Sequence, residues 1–164
     1  MASIYIPSNS IYNLKGKTID QNEFDFSSLE GKVSLIVNVA CKWGKTKSNF
    51  SQLAELHKKY KSQGFEIVMY PSGDFKQELN TNKEIKEYIE NNFYKNFVLM
   101  NKVHVNGDNQ DPMFTLLKKH IPGRIGHNFF KYLVDKQGIP NHIYEKKDDP
   151  ISIEDDIVRL LETI

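Results

Sequence analysis

Cys41 is the one thiol in 164 residues, and it stands at the end of an apolar run. Val33-Ser34-Leu35-Ile36-Val37-Asn38-Val39-Ala40 has the β-branched, apolar make-up of a buried strand. Cys41-Lys42-Trp43-Gly44-Lys45-Thr46 follows, and a helical pattern begins behind it. A thiol at the carboxyl end of a central strand, just ahead of a helix, occupies the position where α/β proteins place reactive groups. Its chemistry would be that of a thiolate nucleophile, and Lys42 and Lys45 beside it would favour the charged form. A small buried core cysteine is the competing reading of the same residue.

Other chemistry is excluded or weak. A single cysteine rules out an intrachain disulfide and any two-cysteine zinc site. His57, His104, His120, His127 and His142 show no helical metal-ligand spacing, so no metal is expected. Asn106-Gly107-Asp108-Asn109 reads as a turn without the acidic spacing of a calcium loop. The 22 basic residues nearly balance 21 acidic ones, which gives no argument for nucleic acid. Lys42, Lys45 and Lys47 could attract an anionic thiol, but read more simply as a solvated rim. No stretch approaches the ~18 apolar residues of a membrane span. The opening Met1-Ala2-Ser3-Ile4-Tyr5-Ile6 lacks the basic and apolar regions of a secretory leader. A reducing, cytoplasmic setting is the expectation.

The elements that must position Cys41 follow from periodicity. Ile11 to Leu14 and Lys17 to Ile19 flank Lys15-Gly16 and predict an N-terminal hairpin. Residues 48–63 predict an amphipathic helix facing inward with Phe50, Leu53, Ala54, His57 and Tyr60, closed by Gly64. Phe65 to Tyr70 is a second core strand, ending at Pro71-Ser72-Gly73-Asp74. Asn82 is expected to cap a helix burying Ile85, Tyr88 and Ile89, with Phe93, Tyr94 and Phe97 covering the core beneath it. Val103 to Val105 reads as a short extended piece, and Asp111-Pro112 opens a short helix. Phe129 to Val134 and Ile139 to Tyr144 predict a strand pair, with Pro140 marking an edge. Ser152-Ile153-Glu154-Asp155 resembles a capping box at the start of the last helix. The order predicts one domain over residues 1–164: an α/β thioredoxin-like fold, with a central mixed β-sheet flanked by helices and an added N-terminal β-hairpin.

Asn38-Val39-Ala40-Cys41-Lys42-Trp43-Gly44-Lys45-Thr46 resembles the first motif of the glutathione peroxidase family, Asn-Val-Ala-Ser-Lys-Cys-Gly-x-Thr. Asn49, Phe50, Leu53, Leu56, Tyr60 and Gly64 continue the likeness, as do Val103 to Gly107, Phe129 to Asp135 and Ser152 to Glu154. The resemblance implies thiol-dependent reduction of hydroperoxides in the response to oxidative stress, with an external reductant such as glutathione or thioredoxin and no bound cofactor. It also implies where the chemistry has changed. Trp43 stands at the family's nucleophile, Asp74 at its glutamine and His127 at its tryptophan, while Asn128 matches its asparagine. Glu90 stands at the resolving cysteine of the thioredoxin-dependent branch. Indole cannot attack a peroxide, so activity would have to run through Cys41. His127 and Asn128 would then polarise the peroxide, and Asp74 would orient His127. The alternative is a non-catalytic member that binds or regulates, its pocket closed by Trp43. The short segment from His120 to Gly126 resembles the small, monomeric branch.

Overall fold

The computed structural model describes residues 5–164; residues 1–4, part of the stretch read above for a leader, lie outside the described residues. Two strands form the spine. β3 (Val33–Val39) is buried at every position, and β4 (Phe65–Pro71) pairs with it in parallel from Val33 opposite Phe65 to Val39 opposite Pro71. Such largely apolar runs belong to strands covered on both faces. β6 (Lys131–Val134) pairs antiparallel on the other side of β3, and β7 (Pro140–Tyr144) pairs antiparallel with β6 at the edge. β5 (Val98–Leu99) closes the opposite edge, giving the order β5-β4-β3-β6-β7.

Side chains alternate across β3 and feed two cores. Val33, Leu35, Val37 and Val39 pack with α1 (Thr46–Tyr60), α2 (Asn82–Asn92) and α4 (Glu154–Leu161) through Phe50, Leu53, Ile85, Ile89 and Ile157. Ile36, with Val68, Tyr70 and Tyr132, faces α3 (Pro112–His120) and the N-terminal segment through Met113, Phe114, Ile11 and Phe26. His57, on the inner face of α1, is held between the Tyr94 hydroxyl at 2.6 Å and Glu66 Oε1 at 2.5 Å. Phe97 and Tyr94 lie in the same core, as their aromatic pattern predicts.

Several local expectations shift. The hairpin exists, but its strands are β1 (Lys15–Lys17) and β2 (Glu23–Asp25), so Lys15-Gly16 is strand and not turn. Ile11–Asn13 instead forms a 3-10 turn capped by Ser10. Thr81, not Asn82, caps α2, because its hydroxyl accepts from Glu84 N; Asn82 Oδ1 accepts from Lys102 N. Val103–Val105 is not a strand, and only His104 bridges, to Gln110. Ser152 does not cap α4: it sits inside a 3-10 turn (Pro150–Ile153), its hydroxyl donating back to Asp149 O. β6 starts at Lys131 rather than Phe129, since Phe129 has φ +64°, outside the strand region.

Candidate active site

The loop between β3 and α1 is pinned from two sides. Thr46, buried at the helix start, donates its hydroxyl to Ala40 O (2.8 Å) and accepts from Trp43 N (3.0 Å). Opposite it, the segment after β4 holds the same loop: Lys42 N donates to Gln77 O at 2.8 Å and Cys41 N donates to Glu78 Oε1 at 2.9 Å. Both anchors are side-chain or loop groups that meet the first N–H groups beyond the strand, where no ladder partner remains. The loop therefore has little freedom to reorient Cys41 or Trp43.

Cys41 is 7% exposed and packs within the α1-facing core. Burial pushes its thiol well above the ordinary range, and the neighbouring Glu78 carboxylate adds to the shift. This corrects the expectation drawn from Lys42 and Lys45. Both are exposed, and the charge that governs Cys41 is the negative one at Glu78. Burial also raises the Glu78 carboxyl, opposed by Cys41, by the Leu79 and Cys41 N–H groups and by Lys102.

Trp43 is half-buried and built into an aromatic wall. Its ring lies 4.9 Å from His127 and 5.6 Å from Phe129, stacked on the latter at 28°. Phe75 stacks on His127 at 5.9 Å, and Phe129 meets Phe50 edge-on at 5.6 Å. Such offset and edge contacts stabilise beyond simple area burial. As the only tryptophan, Trp43 should show blue-shifted emission with iodide quenching reduced, though not abolished, relative to free indole. Trp43→Ala should cost about 2 kcal/mol by urea unfolding, short of the ~3–5 of a fully buried ring. A loss under ~0.5 kcal/mol would contradict the packing.

The remaining expected residues divide. His127 and Asn128 join the site, held by Asn38 on β3, a residue whose role sequence reading missed. Asn38 Nδ2 donates to His127 O (3.0 Å) and to Asn128 Oδ1 (3.5 Å), and its Oδ1 accepts from Phe130 N (3.1 Å). Asn128 is fully buried, and its Nδ2 has no partner among the described residues. Asp74 does not orient His127. Its Oδ1 lies 2.6 Å from His104 Nδ1, and its Oδ2 accepts from Val105 N at 2.8 Å, while His127 Nδ1 sits 3.2 Å from Asn128 O. The turn after β4 aims Asp74 at the Val103–Val105 segment, so the imidazole it meets is the one 30 residues on. Glu78 is the other group missed, since its partner lies 37 residues upstream. A cleft of about 270 Å³ lined by Gly126, His127, Phe130, Glu145, Lys146 and Lys147 shares His127 with the aromatic wall. Among the described residues no group of three or more His, Cys, Asp or Glu could hold a metal ion, and no helix is long and apolar enough to cross a membrane.

A five-stranded mixed sheet, helices on both faces and a loop site at the end of β3 define a thioredoxin-like protein. A thiol:disulfide interchange protein of the thioredoxin family from Chlorobium tepidum shares that fold, with a TM-score of 0.71 at 16% identity over 98% of this chain and 99% of its own. The glutathione peroxidase family model matches residues 11–118. The probable mitochondrial glutathione peroxidase 3 of Arabidopsis thaliana is 43% identical over 94% of this chain and 77% of its own length. A probable phospholipid hydroperoxide glutathione peroxidase of Citrus sinensis is 41% identical over 94% and 95%. The crystal structure of T. cruzi GPX1 superposes with a TM-score of 0.76 at 30% identity, covering 93% of this chain and 96% of its own. The chain belongs to the glutathione peroxidase family.

Proposed function

We propose that this chain reduces hydroperoxides at the expense of an external thiol, the activity its relatives are named for, with Cys41 as the attacking sulfur. The observation that carries this reading is the placement of the only thiol on the β3–α1 loop, two residues from Trp43 at the family's nucleophile position. Peroxide reduction needs a thiolate and donors for the charge shed onto the leaving oxygen. His127 and the unpartnered Asn128 Nδ2 are the donors this reading assigns. Burial and Glu78 keep Cys41 protonated at neutral pH, so turnover through it should be slow. No second cysteine can resolve the oxidised sulfur, so a small thiol such as glutathione, or thioredoxin, must do so. Cytoplasmic residence and a monomeric state complete the reading, supported by the lone free thiol and the short 120–126 segment.

Stoichiometric peroxide should add one oxygen to the intact mass, and glutathione should then replace it with a mixed disulfide. An unmodified mass under conditions that oxidise a control peroxidase would overturn the enzymatic reading. A second reading, a non-catalytic binding member, is favoured by one observation: the Trp43 ring packed against His127 and Phe129 fills the family's reacting position. That reading expects no peroxide-dependent mass change.

A further inference from the structure

We propose that Glu78 is the proton acceptor for Cys41, taking the thiol proton as sulfur attacks a peroxide and passing it to the departing oxygen. The inference rests on the assignment of Cys41 as the attacking group. Glu78 is 94% buried by its 6% exposure, and its two carboxylate oxygens have different fates. Oε1 accepts from Cys41 N at 2.9 Å and from Leu79 N at 2.8 Å, which anchors the thiol's own backbone. Oε2 is buried with no partner among the described residues. Lys102, the cation that bears on Glu78, sends its Nζ to Leu79 O at 2.9 Å instead.

A purely structural cap does not account for this arrangement. Satisfying two N–H groups takes one carbonyl oxygen, which a glutamine would supply without the cost of burying an ionisable group. What the carboxylate adds is a bare acceptor oxygen on the side chain that holds Cys41. The titratable groups facing it are Cys41 from the end of β3 and Lys102 from the segment after β5. A base whose own affinity for protons is raised toward neutrality is better matched to a reluctant thiol than an ordinary surface carboxylate.

The step balances. The Cys41 sulfur attacks the terminal peroxide oxygen, forming S–O as O–O breaks, and the sulfur gives up two electrons. Its proton goes to Glu78 and from there to the leaving alkoxide. The products are a sulfenic acid and an alcohol (water, for hydrogen peroxide), with Glu78 again a carboxylate.

Glu78→Gln separates this role from the bland one, because the two predict opposite signs. The amide keeps a carbonyl for the two N–H groups but cannot take a proton. If Glu78 only holds the loop and repels the thiolate, removing its charge makes Cys41 more reactive. If it accepts the proton, Cys41 oxidation by hydrogen peroxide, followed by intact mass, falls on the order of 100-fold at neutral pH. Wild-type oxidation should also lose rate on acidification through a limb above the ordinary carboxylate range of about 4.3, and Glu78→Gln should lack that limb. Near-UV circular dichroism confirms folding of the variant; should it unfold, the wild-type limb decides, and its absence overturns the assignment. Oxidation that is unchanged or faster in Glu78→Gln overturns the role of Glu78 alone. An unreactive wild type overturns the Cys41 reading itself.

Discussion

Combining Trp43→Cys, Asp74→Gln and His127→Trp is expected to raise hydroperoxide reduction at least ~10³-fold over wild type, about 4 kcal/mol in barrier. The gain has three sources in the geometry. A thiol at position 43 would sit at the amino end of α1, where backbone N–H groups and the helix dipole favour thiolate. Position 43 is already fixed by the Thr46 hydroxyl on its N–H, so little ordering is left to do. Second, the ring of residue 127 lies 4.9 Å from the indole that is removed, so a tryptophan at 127 can grow into the vacated space. Its N–H is a neutral donor where the leaving oxygen develops charge. Third, Asp74→Gln replaces the carboxylate that faces His104 with an amide, which adds a neutral N–H donor while its oxygen can still accept from Val105 N. Asn128 is already present, with a free Nδ2. Initial rates with hydrogen peroxide and glutathione or thioredoxin check the prediction. Adding Cys41→Ser to the triple variant should change the rate little. A folded but inactive triple variant would mean that positions 43, 74, 127 and 128 do not converge when a peroxide is present.

The parts of this molecule that were legible in the sequence are those written in contiguous residues. The run Val33–Val39 and its partner Phe65–Pro71 have no other sensible reading than covered strands, and Gly64, at φ +91°, marks the turn into the second. The hairpin was legible as a motif but not in register, because Lys15-Gly16 carries turn residues while the chain reverses around Gln21, at φ +67°. β5 is two residues long and owes its existence to β4, so no local pattern could announce it. Within the site the dividing line is sequence distance. Cys41 and Trp43 are read from one motif, and Asn128 from another. Glu78 matters only because the 77–78 segment meets the Cys41 loop, and Asp74 goes to His104 for the same kind of reason. Asn38 did leave a trace, as a polar residue inside a mostly apolar strand; a buried amide must find partners, and those it found set the 127–130 segment.

Lys131, the first residue of β6, is fully buried, and that predicts an unusual rise in stability at alkaline pH. Its Nζ donates to Phe129 O at 2.7 Å and to Glu145 O at 3.1 Å, tying the left-handed Phe129 to the end of β7. Those are neutral carbonyls, not counter-charges. Burial therefore pushes the amine down to about 8, with Asp148 and Asp149 only partly opposing it. In the unfolded chain a lysine titrates near ~10.4. Between these two values the unfolded state binds a proton that the folded state does not, so unfolding becomes harder as pH rises. The cost of burying the charge is present in full below the folded value and is relieved on passing through the window. Relative to Lys131→Met, which keeps the alkyl packing and never titrates, the wild type should gain roughly 3 kcal/mol between about pH 7 and about pH 10.5. Urea unfolding of both proteins across that range measures it, and other lysines cancel in the difference. A flat difference would mean that Asp148 and Asp149 hold the ammonium charged, and the clamp on Phe129 would then be an ion-supported one that persists at every pH in the range.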